Sequence, residues 1–191
     1  LDPSDGSETG RFDIGFIGGQ EHAGLSNNGI NLILAPEFGG LQILDPSDGS
    51  RIGDLFLFDP TDFNSFFESF GALAFDTTTE EFFPVDGNDV FRFDDEGRLV
   101  EEFTLNAAGF NSVQGAVFVG DTLFLADSST DTVRSGLIPT PPTAHTANPV
   151  AMATDGTYLW VGVDATPNDL IMKLDPTNTS TPLVGSFGSG G

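Results

Sequence analysis

Apolar and polar residues alternate in short runs along most of this chain, and clusters of Gly, Asp, Asn, Ser, Thr and Pro separate the runs. Alternation with a period of two marks half-buried strands, and the clusters are turn chemistry. Gly115 to Asp127 reads as strand, tight turn and strand. Val150 to Val161 reads the same way, with Asp155-Gly156 supplying the positive φ of a hairpin turn. Leu25 to Leu34 repeats the pattern around Asn28-Gly29, and Gly71 to Val85 repeats it around a longer turn over Thr77, Thr78 and Thr79. One stretch departs from it. Phe63, Phe66, Phe67 and Phe70 fall at i, i+3, i+4 and i+7, the stripe of an amphipathic helix. Asp59 suits its cap, Pro60 its first position and Gly71 its end, which predicts one short Phe-rich helix over 60–70.

A longer rhythm underlies the strands. Leu1-Asp2-Pro3-Ser4-Asp5-Gly6-Ser7 returns unchanged as Leu44-Asp45-Pro46-Ser47-Asp48-Gly49-Ser50. Weaker copies follow at Phe93-Asp94-Asp95-Glu96-Gly97, at Asp131-Thr132-Val133-Arg134-Ser135-Gly136 and at Leu174-Asp175-Pro176-Thr177-Asn178. Anchored on Leu1, Leu44, Phe93, Val133 and Leu174, the spacings are 43, 49, 40 and 41 residues. Two strands precede each anchor, a third leads into it, and a fourth follows, as in Arg51 to Phe58, Leu99 to Leu105 and Leu183 to Phe187. Four short strands in about 40–50 residues is the period of a propeller blade.

The runs Gly115 to Asp127 and Val150 to Pro176 resemble blades of NHL-type and streptogramin-lyase-like β-propellers, in which a strand pair is followed by a Leu-Asp-Pro strand end and a Gly-bearing turn. The resemblance implies a fold and no particular reaction. The expected architecture is all-β and propeller-like: four four-stranded blades over about 23–70, 71–110, 111–148 and 149–191, preceded by an N-terminal half-repeat over 1–22. The half-repeat points to a piece of a larger propeller, to a four-bladed one carrying an extra ribbon, or to a hairpin that pairs with another chain. The chain starts at Leu1 with no signal-peptide pattern, as a mature product or part of something longer would, and Gly185 to Gly191 reads as the start of a flexible linker.

Charge narrows the function classes. The 191 residues hold 29 Asp plus Glu against 6 Lys plus Arg, a formal charge of −23. Six cations do not make the basic patch that nucleic acid requires. The 38% apolar content and 19 Phe argue for a packed core rather than disorder. No apolar run reaches the about 20 residues of a membrane-spanning helix. Without Cys there is no disulfide framework, thiolate metal site or cysteine nucleophile. Acidic, Lys-poor, Cys-free composition suits an extracellular or cell-surface setting, where salt screens self-repulsion.

Candidate chemistry sits in the acidic turns. Asp2 with Asp5, Asp45 with Asp48, and Asp94 with Asp95 and Glu96 crowd carboxylates as a hard cation such as calcium requires. The same Asp-Pro-Ser-Asp-Gly is also an ordinary β-turn, and no segment matches the 12-residue calcium loop. Asp127 to Asp131 and Asp164 to Asp169 are weaker cases of the same kind. His22 and His145 lie in loop-like surroundings, more than 100 residues apart. Streptogramin-lyase-like enzymes use a histidine with a divalent cation near the central channel, and neither His matches that motif, so the resemblance carries no activity over. Tyr158 and Trp160 share one strand face, which suits packing or a stacking platform. Asn178-Thr179-Ser180 has only the form of a glycosylation site. No phosphate loop, Gly-x-Ser-x-Gly elbow or His-Glu-x-x-His helix is present.

These features predict a non-catalytic extracellular or surface-exposed binding or assembly module, including a self-assembling structural subunit. Its partner is itself or another protein chain, met through Phe63, Phe66, Phe67 and Phe70. The alternative is a divalent-metal-dependent propeller enzyme, a lyase or lactonase, with its site at the central channel.

Overall fold

The computed structural model describes residues 22–36, 40–61, 70–105, 109–135, 144–145, 148–164, 169–178 and 183–188. The alternating runs become strands. Blade 1 comprises β1 (His22–Asn27), β2 (Leu32–Pro36), β3 (Leu41–Leu44) and β4 (Arg51–Leu55). Blade 2 comprises β5 (Ala72–Asp76), β6 (Glu81–Asp86), β7 (Asp89–Phe93) and β8 (Leu99–Thr104). Blade 3 follows with β9 (Val113–Val119), β10 (Thr122–Asp127), β11 (Thr132–Ser135) and β12 (Ala144–His145). Blade 4 closes the series with β13 (Pro149–Thr154), β14 (Leu159–Val163), β15 (Leu170–Leu174) and β16 (Leu183–Gly188). Each sheet pairs its strands in chain order, and every pair is antiparallel. This is a four-bladed β-propeller fold with four strands per blade. Gly185 to Gly188, read from sequence as linker, pair in β16 with β15.

Register irregularities recur at matching places. In the first strand of blades 1, 3 and 4, pairing skips residues 23, 114 and 150, after which Gly24 faces Ala35, Gly115 faces Ala126 and Ala151 faces Gly162. In the last strand of blades 1, 2 and 4, pairing skips residues 52, 100 and 184. An extra residue of this kind increases local twist and blunts a sheet edge against stray pairing. Ile52 and Val100 are accordingly turned out to solvent.

The chain divides into two compact units, one holding blades 1 and 2 and the other blades 3 and 4. In the first, Ile33, Ala35 and Leu41 of blade 1 pack against Leu73, Phe82, Phe91 and Phe93 of blade 2. In the second, Phe124, Ala126 and Val133 of blade 3 pack against Met152, Leu159, Val161 and Leu174 of blade 4. Each fully buried side chain of this size contributes about 1.5–3 kcal/mol. Glycine permits close approaches between blades of one unit: a Cβ on Gly24 would lie 3.0 Å from Leu73, and one on Gly115 would lie 2.9 Å from Met152. The connection leaving β4 also returns to blade 2. There Phe58 donates its amide to the Gly97 carbonyl at 2.9 Å, and its own carbonyl accepts the Leu99 amide at 2.9 Å.

The Phe-rich segment is described only at its ends. Residues 62–69, and with them Phe63, Phe66 and Phe67, lie outside the described residues, as does the half-repeat over 1–21. Asp59 accepts the Thr61 amide and hydroxyl, each at 2.7 Å, the contact a capping residue makes. Phe70 is fully buried, its ring edge-on to Phe91 at 6.1 Å between centroids. Its ring belongs to the blade 1–blade 2 core.

Candidate functional site

Several acidic turns among the described residues hold hydrogen bonds of their own. Asp45 accepts the Ser47 amide at 2.8 Å and the Ser47 hydroxyl at 2.6 Å, and Asp48 accepts the Ser50 amide at 2.9 Å. Asp175 makes the same pair of bonds to Thr177. These hydroxyl and amide bonds hold the Asp45, Asp59 and Asp175 carboxyls below their ordinary value. Asp-x-Ser/Thr at a strand end is therefore a turn lock that returns in blade after blade. Asp2 and Asp5 lie outside the described residues.

The turn after β7 is the most acidic. Ligand oxygens of Asp94, Asp95 and Glu96 all lie within 4.8 Å of one another, so this surface cluster could coordinate a divalent ion. Arg98 already stands there, pairing with Asp94 at 2.8 Å and with Glu96 at 2.5 Å. Burial raises the Asp94 carboxyl, but the amide and guanidinium of Arg98 outweigh it and hold the group low. Asp45 and Asp48 sit in a different blade from Asp94 and Asp95, and the cluster of three does not include them.

Two polar arrangements go beyond the sequence reading. Asp127, at the end of β10, is fully buried. Its carboxylate accepts the Asn111 amide at 2.9 Å, the Ser129 amide at 2.8 Å and the Ser129 hydroxyl at 2.7 Å. Burial raises this carboxyl, but the Ser129 hydroxyl and the surrounding amides bring it below the ordinary range. The signal was present in Asp127-Ser128-Ser129, the same Asp-x-Ser grammar, but burial is not written in it. Across the β6–β7 turn, Asp86 faces Asp89 directly. Burial, and next the Asp89 charge, push the Asp86 carboxyl up.

Tyr158 and Trp160 share a cation. The Lys173 ammonium lies 4.0 Å from the Tyr158 ring centroid and 4.8 Å from that of Trp160. Asp155 accepts the Trp160 indole N–H at 3.2 Å and the amides of Thr157 and Tyr158, anchoring the stack from the turn. His22 opens β1 and His145 ends β12, in different units, and their side chains lie outside what the structure describes. Among the described residues, Asp45, Asp94, Asp127 and Asp155 accept amides of their own turns, and Arg51 and Arg98 are held in ion pairs.

No protein-family model matches the sequence, and no curated protein matches it. Solved structures do. The U3-55K structure superposes with a TM-score of 0.53 at 9% identity, over 81% of this chain and 49% of that one. A chain of a mitotic checkpoint complex gives 0.53 at 14% identity, over 92% and 53%. The WD40 repeats of RRP9 give 0.52 at 9% identity, over 88% and 51%. The chain thus shares the fold of WD40-type propellers, and it spans about half the length of the structures it matches. The matches reach the propeller fold and not a particular NHL-type or streptogramin-lyase-like subtype. They also correct the expectation of an extracellular or cell-surface setting, because the structures resembled are of intracellular proteins, a mitotic checkpoint complex among them. The compositional argument fails physically: salt screens an acidic surface on either side of a membrane. Among the described residues no helix is long and apolar enough to cross a membrane.

Proposed function

We propose that this chain is a non-catalytic propeller module that binds protein, including further copies of itself, within an assembly. The observation that carries the reading is how the carboxylates are used. Asp45, Asp94, Asp127, Asp155 and Asp175 each accept the amides of their own turn, and no two of these turns contribute to one cluster among the described residues. A lyase or lactonase needs several loop side chains converging on one substrate. The matches to a mitotic checkpoint complex and to WD40 repeats support the binding reading at the level of fold. We take residues 1–191 as one propeller-like domain or part of one, with the NHL-like Leu-Asp-Pro strand ends as its repeat mark. Calcium enters at Asp94, Asp95 and Glu96, as a bridge between acidic surfaces in competition with Arg98.

The Phe stripe is the partner surface of this reading. Phe70 serves from within, as the core residue on which the stripe ends. The test is light scattering on the full chain before and after replacing Phe63, Phe66 and Phe67 by Ser, with Phe70 kept because its loss would open the core. The expected result is a fall in assembly mass with the melting midpoint unchanged. A parent chain that is monomeric and gains no mass with any protein partner overturns the reading. Melting with calcium and with chelator tests the ion: an identical midpoint and an identical assembly mass remove it.

A further inference from the structure

The chain contains a single Asn-Gly sequence, Asn28-Gly29, and it stands at the tip of the β1–β2 hairpin. Asparagine before glycine loses its side-chain nitrogen more readily than before any larger residue, because glycine puts no side chain in the way of its own amide. The reaction needs the Gly29 nitrogen, the Asn28 side-chain carbonyl carbon and water. Gly29 is exposed, and Ile30 beside it is 77% exposed. Among the described residues, a Cβ on Gly29 would meet nothing within 4 Å.

The folded turn holds both reacting groups elsewhere. The Gly29 amide donates to Asn27 Oδ1 at 3.1 Å, so the hydrogen that must leave is engaged. Asn28 Oδ1 accepts the Ile30 amide at 3.1 Å and the Asn31 amide at 2.8 Å. The Asn28 amide in turn donates to the Asn31 carbonyl at 3.2 Å. Side-chain bonds of this kind close an Asx turn and fix the asparagine rotamer. For the ring to form, Gly29 must leave Asn27, and the Asn28 carboxamide must leave two amides and swing towards Gly29. Every one of these contacts lies within residues 27–31.

We propose that Asn28 is a modification site that deamidates to aspartate and isoaspartate, gated by opening of the β1–β2 turn. The Gly29 nitrogen bonds to Asn28 Cγ while the Cγ–Nδ2 bond breaks, and Nδ2 leaves as ammonia with the proton that Gly29 gives up. Water then opens the cyclic imide. Cleavage of the new N–Cγ bond yields aspartate, and cleavage of the bond between Gly29 N and the Asn28 main-chain carbonyl carbon yields isoaspartate. Either product adds one negative charge to the −23 of the chain. Aspartate keeps an oxygen for the Ile30 and Asn31 amides. Isoaspartate routes the backbone through its Cβ, one atom longer, and so displaces the pairing of Asn27 with Leu32. β1 is the end strand of its sheet and pairs with β2 alone. The close approach of Gly24 to Leu73 of blade 2 therefore depends on the state of residue 28.

The test incubates the full chain in mildly alkaline buffer, with and without strong urea, and follows residue 28 by peptide mass spectrometry. The method reads the exchange of NH for O, and chromatography separates isoaspartate from aspartate. Conversion is expected to run at least about tenfold faster in urea than in the fold, because only the opened turn reacts. Asn27→Ala removes the acceptor of the Gly29 amide and is expected to speed conversion of the folded chain severalfold, with its rate in urea unchanged. Circular dichroism melts are expected to leave Asn28→Asp at the wild-type midpoint and to place the isoaspartate fraction below it. Absence of conversion at Asn28 in urea overturns the site. Equal rates with and without urea overturn the gate, and that comparison needs no variant. A folded Asn27→Ala chain that converts at the wild-type rate overturns the part assigned to Asn27.

Discussion

At the residue scale, the informative groups are carboxylates whose protonation is tied to the fold. Asp127 is buried with three hydrogen bonds to its side chain. Asp127→Ala strands the Asn111 and Ser129 amides, and urea unfolding should show a loss of about 2–3 kcal/mol. Asp94, Asp127 and Asp155 are held below the ordinary value of 3.8 in the folded chain. Each therefore contributes stability that is fully present above 3.8 and is lost as the pH falls through its folded value. Asp86 has the opposite sign. Its carboxyl is raised in the fold, so it favours folding below 3.8 and opposes it as the pH rises through the folded value. Asp86→Asn is expected to raise the melting midpoint at pH 7 and to lose that advantage at pH 3. Equal effects at both pH values would show that the Asp86–Asp89 repulsion contributes nothing.

At the element scale, the strands and their turns were legible, because period-two alternation and Asp, Asn, Gly and Pro punctuation are local properties. Asn28-Gly29 and Asp155-Gly156 predicted hairpins, and both glycines take positive φ, +85° and +86°. The degenerate anchor at Val133 falls in β11, the third strand that the rhythm assigned to it. The displaced registers were not legible. Alternation says which residues share a face but not where one strand carries an extra residue, so the exposure of Ile52 and Val100 came only from the pairing. The candidate site was less legible for a related reason. Asp45-Pro46-Ser47-Asp48 has one spelling whether its carboxylates hold a cation or their own amides, and the amide bonds show only in the fold. Gly97 gives a test of element packing. Its φ is +82°, and a Cβ there would lie 2.2 Å from the Phe56 carbonyl oxygen. Gly97→Ala should push the Phe56–Phe58 segment off the start of β8 and destabilise the chain by more than about 1 kcal/mol. A melt within error of wild type would show that this segment contributes no stability to blade 2.

At the scale of the whole molecule, charge and apolar packing oppose one another. Six cations among 29 acids leave most carboxylates without a cationic partner, and the described ion pairs all use Arg51, Arg92 or Arg98. Self-repulsion of this kind raises the free energy of the compact state more than that of the expanded chain. Screening reaches about 30 Å at 0.01 M salt and about 3 Å at 1 M. The melting midpoint should therefore climb steadily as NaCl rises from 10 mM to 1 M at pH 7. The climb should shrink near pH 4.1, the calculated isoelectric point, where net charge vanishes. Differential scanning calorimetry along both axes checks this. A midpoint indifferent to salt at pH 7 would mean that the excess carboxylates are already compensated in the fold. The turn locks at Asp45, Asp94, Asp127 and Asp175 would then be the place to look, because each spreads its charge over the amides of its own turn.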